Sequence, residues 1–219
     1  MHSNDESQEQ SLELDLQPEE ATAPLPEIEF ESPGRFAIHN PPSEVVSADE
    51  PIAAPFRLGE PTPLQRFSLA TDASAHALAL LQQARRSLCI YSDDLDPWLY
   101  NNRATLDACS KFLLASPKNR LRILIRDPSR LIRDGHRLLS LSRKLSSSCW
   151  IRKMNPDYPA EEMAFLLADG RGLLMRPDPG ETAGYVLYED LGRGRQCQGQ
   201  FDQAWETSVS DPNLRSMLL

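Results

Sequence analysis

Residues 120–128 read RLRILIRDP, and this stretch decides the fold. Leu121, Ile123 and Ile125 point one way, while Arg120, Arg122, Leu124 and Arg126 point the other. A period of two is the signature of a β-strand. Asp127-Pro128 then gives a helix start, with Asp at the N-cap and Pro at the first helical position. The spacing predicts one helix from there to about residue 145, with Leu131, Leu138 and Leu145 on its buried stripe.

Working outward, strands and helices alternate. Residues 72–86 (DASAHALALLQQARR) place Ala73, Ala77, Leu80, Leu81 and Ala84 on one helical stripe. Thr71 or Asp72 is the expected N-cap, and Arg85 and Arg86 suit the C-terminal end of the helix dipole. Residues 87–92 (SLCIYS) read as a strand, 97–100 as a helical turn, and 105–116 as a helix. In that helix Leu106, Cys109, Phe112 and Leu113 face inward. Beyond residue 145, strands are expected at 149–154 and 184–188, a hairpin at 163–176 around Asp169-Gly170-Arg171-Gly172, and a helix at 198–208. The final helix has Phe201, Ala204 and Trp205 on its apolar face. Crossover helices require parallel strands, and the hairpin adds antiparallel ones. The expected fold class is therefore α/β, a mixed β-sheet flanked by helices, in one domain spanning 61–219.

Residues 1–60 differ in composition. They hold 14 acidic residues against Arg35 and Arg57, and ten of the chain's 18 prolines lie at or before Pro63. Such a segment buries too little apolar surface to offset backbone ordering, so it is expected to be a disordered acidic tail. Two apolar islands, 25–30 and 36–39, read either as parts of a linker or as partner-docking motifs. Residues 61–219 hold the other 18 acids and 21 bases.

Several function classes fall away. No stretch approaches the ~20 apolar residues of a membrane-spanning helix, and the polar N-terminus lacks the pattern of a secretory signal. Cys89, Cys109, Cys149 and Cys197 are widely spaced, with no paired-cysteine or Cys/His motif, so no zinc site, other metal or cofactor is expected. Reduced thiols point to a cytoplasmic protein. Phosphate-binding glycine loops and common hydrolase motifs do not occur.

Two charged groupings remain. Residues 118–153 carry 11 Lys/Arg and only Asp127 and Asp134 as acids. Arg130, Arg133, Arg137 and Lys144 fall near one another at ~100° per residue on the predicted helix, with Arg126 just before it. This cationic ridge reads either as a solvated face or as an anion site for nucleic-acid phosphates, lipid headgroups or an acidic protein. The acidic tail would compete for it through a high effective concentration. Asp93, Asp94 and Asp96 follow the first long strand, at the end where α/β sheets bind ligands. They read as turn caps or as cation ligands.

The segments SLATDASAHALALLQQARRSLCIYSDDLD, NRLRILIRD, MAFLLADGRGLLMRP and FDQAWETS, in this order, resemble one half of the phospholipase D superfamily, over roughly residues 66–208. Short bacterial proteins with one such domain and no known activity look most similar. The resemblance implies a motif H-x-K-x4-D followed by Gly-Ser. In active members its histidine is the nucleophile, its lysine binds phosphoryl oxygens, and two copies meet in one cleft. With Asp169 on the motif aspartate, the histidine position holds Glu162, the lysine position Ala164, and the Gly-Ser pair Arg176-Pro177. No catalytic residue is then assigned. The resemblance implies a pseudoenzyme, a non-catalytic module contacting an anionic surface, nucleic acid or another protein. The alternative is a diverged phosphodiesterase or nuclease-type hydrolase that rebuilds the two-lobed cleft as a homodimer.

Overall fold

A computed structural model describes residues 50–158 and 162–215. The expected tail, including both apolar islands, lies up to residue 49 outside the described residues. The strands are β1 (Gln65–Phe67), β2 (Ser87–Ser92), β3 (Arg120–Ile125), β4 (Cys149–Lys153), β5 (Ala164–Ala168), β6 (Gly172–Arg176) and β7 (Gly184–Leu187). They form one mixed sheet in the order β1-β7-β6-β5-β2-β3-β4. β2, β3 and β4 run parallel, and every other pairing is antiparallel. The helices are α1 (Ala70–Gln83), α2 (Pro97–Tyr100), α3 (Arg103–Ala115), α4 (Ser129–Asp134), α5 (Arg137–Lys144), α6 (Leu191–Thr207) and α7 (Pro212–Arg215). This is the mixed, helix-flanked α/β sheet that the alternation of patterns predicts.

The parity of β3 separates two cores. Leu121, Ile123 and Ile125 join the larger one with residues of α1, α2, α3 and α5. Leu124 joins the smaller one beneath α6, with Cys89, Tyr91, Phe165, Leu167, Cys197 and Phe201. Pleating alone sends neighbouring residues to opposite faces.

Four local expectations change. The predicted helix 128–145 is two helices. Gly135 takes φ 71° and ends α4, and the ring of His136 accepts from Leu138 N–H to cap α5. A left-handed glycine ends a helix that apolar spacing alone would continue. The N-cap position of α1 is Leu69, with no side-chain cap, so neither Thr71 nor Asp72 serves. α6 begins at Leu191, ahead of the expected 198, because Asp190 accepts from Arg193 N–H as its N-cap. Packing also begins before residue 61. Gln83 accepts from Leu58 N–H and donates to the Phe56 carbonyl, Gly59 N–H reaches the Tyr188 carbonyl, and Ala54, Phe56 and Leu58 lie against the larger core.

Candidate functional site

The parallel strands end at Ser92, Ile125 and Lys153. β5 begins and β6 ends at the same edge, where Ala164 pairs with Arg176. The β2–α2 loop there holds two of the three non-glycine residues with positive φ among the described residues. Leu95 and Asp96 both take positive φ, 65° and 33°, a region that costs side-chain-bearing residues of order 1 kcal/mol or more. Hydrogen bonds hold the loop: Leu95 N–H donates to Ser92 Oγ, Asp96 N–H to Asp94 Oδ1, and Ser92 Oγ to Asp96 Oδ2.

Each aspartate of this loop faces its own arginine. Asp93 pairs with Arg126 at 3.0 Å and Asp94 with Arg130 at 2.7 Å, both at the surface. Asp96 pairs with Arg176 at 2.5 Å, and their side chains are only 8% and 2% exposed. Arg176 also donates to the carbonyls of Pro179 and Glu181 and lies 5.2 Å from the Trp98 ring centre. Burial pushes the Asp96 carboxyl up from its ordinary range, and the Arg176 charge and the Ser92 hydroxyl oppose that. Among the described residues no group of three or more His, Cys, Asp and Glu side chains is placed to hold a metal ion. Here the three loop aspartates are partnered by cations and backbone N–H groups.

The residues aligned with the phospholipase D motif separate. Glu162 is exposed just ahead of β5, and Ala164 is buried beside Arg176. Asp169 lies at the other end of β5, in the hairpin turn, where its carboxylate accepts the backbone N–H groups of Arg85, Arg86 and Ser87 at 2.8, 2.7 and 2.9 Å. It fastens the α1–β2 junction to the hairpin. Neither described histidine of the domain stands free at the carboxyl edge. His76 is buried on the inner face of α1 and bonded to Tyr188 Oη at 2.9 Å. His136 is 3% exposed and burial pulls its imidazole down to about 4.

The cationic ridge is interrupted where α4 meets α5. Arg126, Arg130 and Arg133 are neutralised by Asp93, Asp94 and Asp134. Arg137 and Lys144 are exposed, with no carboxylate partner among the described residues. Charge counting along the sequence missed the Asp96–Arg176 pair. The available signal was an arginine in step with Leu174 on the inward side of a buried strand, which needs a carboxylate near it.

No curated protein matches the chain. Among solved structures, the domain is similar to TrmBL2, an archaeal chromatin protein, at 13% identity and TM-score 0.51, over 68% of this chain and 54% of that one. It is similar to NucT from Helicobacter pylori at 14% identity and TM-score 0.50, over 68% and 99%. The phospholipase D family member Nuc from Salmonella typhimurium aligns at 11% identity and TM-score 0.49, over 72% and 100%. The chain thus spans about half the length of TrmBL2. Sheet order and the likenesses to TrmBL2 and NucT show the fold class, a mixed α/β sheet flanked by helices. Residues 69–217 match the domain of unknown function DUF7931, and the chain belongs to that family. No helix among the described residues is long and apolar enough to cross a membrane.

Proposed function

We propose that this chain is a non-catalytic phospholipase D-like binding module. It contacts an anionic partner or another protein through the basic side of α4 and α5. The observation that carries the reading is the buried Asp96–Arg176 pair at the carboxyl edge of the sheet. The edge that would cradle a phosphoryl group in an active relative holds an arginine already spent on an internal carboxylate. Ala164 beside it brings no ammonium, and exposed Glu162 would repel an approaching phosphate. Attack on phosphorus needs an available nucleophile and a free cation, and the motif positions supply neither. On the ridge, Arg137 and Lys144 are the cations left for a partner, and Arg126, Arg130 and Arg133 exchange an aspartate for it. TrmBL2, which shares the fold, is a chromatin protein with a mode of DNA binding, in keeping with a binding role on this scaffold.

The test is a phosphodiesterase and nuclease screen of the full chain, with Glu162→Ala alongside. Turnover at the level of the protein-free blank is expected. Robust turnover that Glu162→Ala abolishes would overturn the proposal in favour of a hydrolase. Light scattering in the same buffer reports whether the chain forms a homodimer, as a rebuilt two-lobed cleft requires.

A further inference from the structure

The α6 side of the β3–β4 corner gathers arginines and tryptophans that are far apart in sequence. Arg120 and Arg122 project from β3 on this face, Trp150 and Arg152 from β4, and Phe201 and Trp205 from α6. The β3–β4 register sets Arg122 opposite Trp150 and Leu124 opposite Arg152. The Arg152 guanidinium lies 4.5 Å from the Trp205 ring centre, and that of Arg120 lies 5.8 Å from Trp150. Arg122 lies 5.0 Å from Phe201 and is ion-paired with Asp202 at 2.8 Å. Phe201 and Trp205 stack at 5.6 Å. Arg120 is aimed by donating to the Pro117 and Asn119 carbonyls, which leaves its charge uncompensated. Arg152 has no carboxylate partner among the described residues. Both tryptophans are half-buried. Along the outer side of β4 runs a groove of about 410 Å³, lined by Ser142, Arg143, Trp150, Arg152 and Ser210 among others.

We infer that this corner is a binding surface for single-stranded nucleic acid. It is separate from the ridge on α4 and α5, and the inference does not depend on that reading. The argument is complementarity of charge and of shape. Two uncompensated guanidinium groups flank one half-exposed indole, and a third, Arg143, lies across the groove. Single strands bind to such mixtures of aromatic platforms and cations, because every base has a π-face and every linkage a negative charge. Side chains two apart on a strand lie roughly 7 Å apart, comparable with successive phosphates on an extended chain. The corner therefore accommodates two or three nucleotides, bases toward Trp150 and phosphates toward Arg120, Arg152 and Arg143. Duplex DNA fits it poorly. Its stacked bases cannot reach a flat sheet face, and reading its groove takes an inserted helix or ribbon. A lipid surface would use the cations and leave the indole without a role.

The experiment is fluorescence anisotropy of a labelled 12-nucleotide oligothymidylate with the full chain at 50 and 150 mM salt, beside a duplex of equal length and vesicles containing phosphatidylserine. Saturable binding to the single strand is expected, tighter than to the duplex or the vesicles. Trp150→Ala is expected to weaken it on the order of tenfold. Arg152→Gln is expected to weaken it and to lower the slope of log affinity against log salt by roughly 0.7, one phosphate contact. Circular dichroism checks the fold of both variants. Should Trp150→Ala unfold, Arg152→Gln decides alone, since it removes a half-exposed charge whose ring contact is to half-buried Trp205 at the edge of the smaller core. Unchanged affinity and slope in Arg152→Gln, or preference for duplex or vesicles, overturns the inference. Arg137→Gln/Lys144→Gln on the ridge separates the two proposals. Loss of binding only there sinks this surface and leaves the module reading standing, whereas hydrolytic turnover sinks the module reading and leaves this surface.

Discussion

Replacing Asp169 tests how the hairpin is tied to the first crossover. Its carboxylate accepts three consecutive backbone N–H groups, those of Arg85, Arg86 and Ser87, within 2.7–2.9 Å. Hydrogen bonds to a charged acceptor contribute roughly 1.5–3 kcal/mol each. Two of the three donors are exposed, so water replaces the carboxylate there at little cost. The Ser87 N–H is part-buried and is left without a partner, at about 1–3 kcal/mol. Adding a smaller loss for the exposed pair, Asp169→Ala should destabilise the domain by about 2–4 kcal/mol. Asp169 also has φ 52°, where Ala is strained and Asn and Gly are tolerated. Asp169→Asn keeps the backbone shape and one oxygen, but turns an amide donor toward a backbone donor, so about 1–2 kcal/mol is expected. Asp169→Gly relieves the backbone and removes every acceptor, so it should resemble Ala in bonding and fall between the two in cost. Urea unfolding followed by tryptophan fluorescence gives all three values. A loss under ~0.5 kcal/mol for Asp169→Ala would refute the reasoning, because three short bonds to one carboxylate would then be energetically idle.

Three further outcomes follow from the same geometry. Arg176→Ala, which strands a buried Asp96, should cost about 3–5 kcal/mol, whereas Asp96→Leu/Arg176→Met should recover most of that loss, and equal loss in both would be inconsistent with a desolvated pair. His136, held down to about 4 against ~6.5 in the unfolded chain, supplies stability that is complete above pH 6.5 and is lost as pH falls towards 4, at up to ~1.4 kcal/mol per unit. His136→Asn keeps an N-cap acceptor, so the difference between wild type and variant, measured by urea unfolding at pH 7 and pH 5, should shrink at pH 5; a constant difference would contradict this. In Gly194→Ala the new methyl would meet the Gly170 carbonyl oxygen at 2.0 Å, so α6 must move off the hairpin, and a fall in melting temperature of several degrees is expected by calorimetry.

How far a sequence pattern carries depends on how local its cause is. The boundaries of β2 and β3 and the Asp169-Gly170 turn follow from alternation and from turn chemistry within a few residues. The break between α4 and α5 hangs on one glycine inside an otherwise periodic run, and periodicity alone reads through it. β1 is three residues long and exists because β7 offers an edge to pair with, a fact with no trace in its own sequence. The site was harder still. Asp169 lies in the turn that its neighbours Gly170 and Gly172 signal, but the sequence does not show how the charged clusters pair: Asp93 with Arg126, Asp94 with Arg130, Asp96 with Arg176. Such pairs span more than 30 residues of chain, and composition reports only that both signs are present. The tryptophan and arginine corner is hidden for the same reason, since Trp150 meets the β3 arginines only once β4 pairs with β3, and Trp205 only after α6 folds back.

The unequal dressing of the sheet bears on how the domain comes apart. One face is roofed by α1, α2, α3 and α5, while the other relies on α6, which rests on a smaller patch through Cys197, Phe201 and Ala204. Two backbone clasps hold its flanks, Asp190 N–H on the Arg171 carbonyl and the reciprocal bonds between Val209 and Lys153. Heating should therefore peel this helix away while the rest still stands, and its amides should exchange with solvent before those of β2 and β3. The peeled intermediate would bare a strip of Tyr91, Phe165, Leu167 and Leu173 across three adjoining strands, an apolar surface prone to association.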